Sequence, residues 1–103
     1  MRANAIGLLR KDLAAAPHRD ATTIHELANR VGYTLVKIFT PGDEIEPNPG
    51  NWLLAKVHRH RTAAVVIADQ RHMNPALVDE ITTVCSVVAP VQIFPGRVQY
   101  PEG

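Results

Sequence analysis

Short, uniformly apolar runs alternate with stretches of helical periodicity, and this alternation constrains the fold more than any other feature of the chain. Ala63-Ala64-Val65-Val66-Ile67-Ala68 has no polar position. Both its faces are therefore buried, as in a central strand of a parallel sheet. Ala5-Ile6-Gly7-Leu8-Leu9 reads the same way. Residues 33–39 are rich in β-branched and aromatic side chains and form a second strand. Pro90-Val91-Gln92-Ile93-Phe94 is expected to be the fourth, with its proline tolerated at the first position.

Three helices fill the intervals. Ile24, Leu27, Ala28 and Val31 fall on one helical face, with Asp20 as the expected N-cap and Gly32 at the C-terminal stop. Asn48-Pro49 opens the second helix, which runs through Trp52, Leu53 and Val57 toward His60. Asn74-Pro75 opens the third, whose apolar face is expected to be Leu77, Val78, Ile81, Val84 and Cys85. The segment 40–49 holds three prolines, a glycine and three acids, so it is a loop.

Strand-helix alternation implies an α/β fold: a parallel four-stranded sheet with helices on both faces, in three layers. Right-handed crossovers favour the flavodoxin-like strand order 2-1-3-4. A chain of 103 residues fits one domain, expected over residues 1–95, with an irregular tail at 96–103. Met1 and the early first strand suggest a native N-terminus. A net charge of +1 excludes a strongly basic nucleic-acid binder but leaves room for a local patch. The one cysteine excludes an intrachain disulfide. The chain has no long apolar run, and cytoplasm is the default location. Ligands of such sheets sit outside the carboxyl ends of the strands. Here those ends carry Arg10, Lys11, Asp12, Thr40 and Asp69.

Several pieces in order resemble the catalytic domain of serine recombinases, the resolvase and invertase group. Ala5-Ile6-Gly7 followed by Arg10 resembles the opening strand and its arginine. Leu27-Ala28 and Val31-Gly32-Tyr33, then Leu35-Val36 and Ile38-Phe39, resemble the first helix running into strand two. Pro49-Gly50 and Leu53-Leu54 resemble the turn that starts the second helix, and Val65-Val66-Ile67-Ala68-Asp69 the third strand with its closing aspartate. The resemblance spans about residues 5–94.

The family attacks a DNA phosphodiester with a serine, and arginines stabilise the charge that develops. This chain departs at most of those positions. Asp12 stands where the resemblance expects the serine, Leu8 the tyrosine, and Asn48 the arginine before the second helix. Gln70 stands for the arginine after Asp69, and Met73 for the motif's second arginine unless Arg71 substitutes by a shift. Only Arg10 and Asp69 remain. A carboxylate at position 12 repels a phosphate, so the resemblance implies a degenerate site without strand transfer. An Asp12-based phosphoryl enzyme is a minor alternative, without a phosphate loop or second carboxylate to support it.

Each remaining candidate has a plainer reading beside it. Arg10 and Asp69 are expected to form a structural ion pair rather than a relic anion site. The basic run Lys56, His58, Arg59, His60 and Arg61 is either a phosphate contact or a solvated helix end suited to the macrodipole. His58 and His60 sit at i, i+2 and cannot share a helix face, so neither a metal nor a cofactor is expected. His72 is expected to be exposed. Cys85 is expected to act as a small buried hydrophobe. Trp52, beside Leu53 and Leu54, either marks a partner interface or packs on the preceding loop. The expected function is a non-catalytic resolvase-like domain that binds another protein or itself. The alternative is a DNA-binding accessory that retains phosphate affinity through Arg10, Lys56, Arg59 and Arg61. No membrane partner is expected.

Overall fold

A computed structural model describes residues 2–101; Met1, Glu102 and Gly103, and with them the expected native start and the tip of the tail, lie outside the described residues. The chain is α/β. Strands β1 (Asn4–Leu8), β2 (Thr34–Phe39), β3 (Ala64–Ile67), β4 (Ser86–Val88) and β5 (Ile93–Phe94) form one sheet in the order β2-β1-β3-β4-β5. The first four are parallel and reproduce the expected 2-1-3-4 order. β5 adds a fifth strand, antiparallel to β4.

The fourth parallel strand is not where the apolar run at 90–94 placed it. Ser86–Val88 is buried throughout and takes the place beside β3. The chain then reverses: Ala89 and Gln92 exchange backbone hydrogen bonds around Pro90 and Val91. Proline has no N–H to donate and suits that turn. Ile93 and Phe94 return as a short edge.

The helices are α1 (Pro17–Val31), α2 (Pro49–Arg59) and α3 (Pro75–Ile81). Each begins with a proline at the first turn, where the missing N–H costs nothing. α1 therefore starts three residues before the expected cap, and Asp20 lies in its first turn. Gly32 closes it in the left-handed conformation, φ 94°, its N–H donating to the Ala28 carbonyl. Asn48 precedes α2 but makes no side-chain cap bond. Asn74 does cap α3, its side chain accepting from the Leu77 N–H at 2.9 Å. α3 stops at Ile81, so Cys85 sits in the turn before β4 rather than on the helix.

Period-two alternation along β1 feeds two cores. Ile6 and Leu8 join Leu53, Val57, Leu77 and Ile81 from α2 and α3 on one face. Ala5 and Leu9 join Ile24, Leu27 and Ala28 from α1 on the other. Three layers result. Gly7 lies under α1, where a Cβ would stand 2.8 Å from the Ile24 Cγ2, so a larger residue would lift the helix. The described part of the tail has no regular structure but is tied down: Arg97 and Gln99 N–H groups donate to Thr82 and Val84 carbonyls.

Candidate functional site at the carboxyl ends of β1 and β3

The chain leaves β1 toward β2 on one side and returns to β3 on the other. The carboxyl ends of these neighbours are thus the topological switch point of the sheet. Two loops meet there, one opened by Arg10 and one running from Asp69 to Asn74.

The Arg10 backbone N–H donates to His72 Nδ1 at 2.8 Å. An imidazole nitrogen that accepts carries no proton, so the neutral ring holds its hydrogen on Nε2. His72 is 1% exposed, which corrects the expectation of a surface histidine. Met73 follows it into the core and draws the short 3-10 turn Gln70–His72 inward. Nε2 has no hydrogen-bond partner; the nearest acid is Asp20 at the start of α1, with Oδ2 3.8 Å away. Burial pushes the His72 pKa below its ordinary value, and the carboxylates of Asp20 and Asp69 oppose that only in part.

The Arg10 side chain is also buried, and it does not pair with Asp69. Its Nε and Nη2 donate to the two Asp12 oxygens at 3.0 and 2.9 Å, a bidentate clamp. Its Nη1 reaches Glu46 Oε1 at 3.4 Å. The hydrogen bond to Asp12 raises the Arg10 pKa, and the same bond holds the Asp12 carboxyl below the usual range. Asp69 is occupied elsewhere. Its Oδ1 accepts from the Arg71 N–H at 2.9 Å and the Arg71 Nε at 3.2 Å, which depresses its pKa. The geometric reason is local. An acid two residues away reaches each arginine without crossing between loops. The sequence marks Glu46 only as one acid of the 40–49 loop, a candidate cation site beside a plain acidic surface; the cation it meets is the Arg10 guanidinium, a buried group with five donors to satisfy.

The other expected site residues are scattered. Asn48 is exposed before α2. Gln70 is exposed and contacts Gln92 at 3.4 Å. The end of the basic run lies at the opposite end of the sheet from Arg10: the His60 carbonyl accepts from the Asn4 side chain, at the amino end of β1. Arg59 and Arg61, which flank His60, therefore cannot contact one phosphate together with Arg10. Trp52, Lys56 and His60 form an i, i+4, i+8 stripe of α2 laid against Phe39 of β2. Trp52 meets the Phe39 ring edge-on at 5.8 Å, and the Lys56 ammonium lies 5.5 Å from its centroid. Trp52 is half-buried on the core. Arg61 stacks over Tyr100 at 5.5 Å. Cys85 is buried, and burial pushes its thiol up to about 12. Among the described residues no cluster of three His, Cys, Asp or Glu side chains could hold a metal ion, and no helix is long and apolar enough to cross a membrane.

Comparisons with protein-family models, with curated proteins and with solved structures give no match.

Proposed function

We propose that this domain is a non-catalytic, resolvase-like module that works by binding another protein or a second copy of itself. One observation carries the reading. Arg10, the arginine that the resemblance leaves in the phosphate site, is buried and clamped by Asp12 and Glu46. An incoming phosphate would have to displace two carboxylates and would meet their charge. Asp12 cannot easily serve as a nucleophile while both its oxygens accept from Arg10. Sedimentation velocity over a concentration series, beside nicking of supercoiled plasmid, tests this. The expected result is a mass that rises with concentration and no nicking. Plasmid nicking that Asp12→Asn abolishes would overturn it.

A second reading has its own observation. β2 and α2 carry no acid, and Lys37, Lys56, Arg59 and Arg61 lie on them or at the end of α2. This face could follow a nucleic-acid backbone without cleaving it. Duplex binding measured by anisotropy would then weaken linearly in log salt, and Arg59→Ala would reduce that slope by about one. A flat salt response removes this reading.

A further inference from the structure

A cavity of about 300 Å³ opens at the carboxyl end of β3, beneath β5. It shares no lining residue with the Arg10–Asp12–Glu46 cluster. Its walls include Ile67, Met73, Val78 and Phe94, and its polar groups are Gln70, Gln92 and Asp79. We propose that it binds a single-ring aromatic ligand with a cationic, N–H-rich head, of the arylamidine or arylalkylamine class.

Four features set that chemistry. The volume lies at the small end of ligand pockets, so the occupant is ring-sized. Met73 offers a polarizable sulfur and Phe94 a ring, and both favour an aromatic body over an aliphatic one. The lining holds no cation, so a phosphate or carboxylate finds no counter-charge there. The side-chain oxygen acceptors of the lining belong to Asp79 and to the two glutamine carbonyls, which suit N–H donors. The Gln70 amide donates to the Gln92 carbonyl at 3.4 Å, a long bond between two exposed side chains. A ligand N–H can replace it at little cost. The position obeys the general rule for open α/β sheets. The inference does not depend on the proposed function, since a ligand-binding module needs neither catalysis nor self-association.

The test is an amide-resolved NMR titration of the whole protein with benzamidine, neutral benzamide and anionic phenylacetate. Benzamidine should shift Gln70, Gln92 and Phe94 with a dissociation constant on the order of millimolar, as suits so small a ligand. Asp79 is exposed, so Asp79→Asn should fold normally. It should weaken benzamidine about five- to tenfold and leave benzamide unchanged. Val78→Phe should fill the cavity and abolish both. No shift at those residues up to about 10 mM overturns the proposal. So does phenylacetate binding as tightly as benzamidine, or benzamidine affinity indifferent to Asp79→Asn. If Val78→Phe fails to fold, the Asp79→Asn comparison still decides.

Discussion

Replacing His72 with alanine tests the central contact of the switch point. The ring is fully buried and its Nδ1 is the acceptor for the Arg10 N–H. Truncation removes a packed ring, which in cores costs about 2–5 kcal/mol. It also leaves a backbone donor buried without a partner, worth about 1–3 kcal/mol. These overlap, because water entering the cavity can bond to the freed N–H. A total of about 3–5 kcal/mol is expected, against a typical stability of roughly 5–15 kcal/mol. His72→Asn should cost less, since its Oδ1 can occupy the place of Nδ1. Urea unfolding followed by Trp52 fluorescence reads both, and the midpoints should fall in the order wild type, Asn, Ala. The pH dependence supplies a second arm. His72 is neutral in the fold, and its folded pKa lies below the unfolded value. Stability is therefore fully present above an unfolded pKa of ~6.5 and is lost as pH falls from there toward the lowered folded value. The depressed carboxyls of Asp12, Glu44 and Asp69 act later, below their ordinary values. The wild-type midpoint should thus drop as pH falls below about 6.5, before the carboxyls titrate, and that part of the drop should be absent in His72→Asn. An alanine variant within ~0.5 kcal/mol of wild type, or identical pH curves, would refute the reasoning.

Three further outcomes follow from single contacts. Arg10→Ala should lower stability by about 1–3 kcal/mol through loss of its buried hydrogen bonds, and calorimetry should show a reduced Tm. Gly96→Ala should destabilise strongly, since a Cβ there collides with the Cys85 carbonyl, a backbone atom that cannot step aside; an unchanged urea midpoint would contradict that packing. Cys85 should resist a thiol reagent at neutral pH in the folded protein and react at a normal rate in urea, because its buried thiol stays protonated up to about 12.

Much of the architecture was legible because it rests on local rules. The runs at 5–9 and 63–68 are buried on both faces and could only be interior parallel strands. Asn74 announced α3 by a cap bond that the structure contains. Errors arose where local pattern and tertiary packing disagreed. Ser86-Val87-Val88 is too short to outrank the helical periodicity before it, yet the vacant position beside β3 selects it. The first helix starts at Pro17, three residues before the Asp20 cap that its apolar periodicity suggested.

The site was less legible, for a different reason. Charge partners depend on which loops meet, and sequence spacing does not report that. Arg10 and Asp69 end neighbouring strands, which made their pairing attractive. Each is satisfied within two residues, by Asp12 and by Arg71. The carboxylate at position 12 therefore has a structural role. It supplies the counter-charge that lets Arg10 be buried, with Glu46 completing the shell. A neutral side chain at position 12 would leave a half-neutralised guanidinium at the mouth of the switch point, where an external anion could complete it. Asp12→Ser is therefore expected to create a weak anion site. Sulfate should stabilise that variant more than wild type in a thermal melt, and equal stabilisation of both would show that Asp12 is not what closes the site.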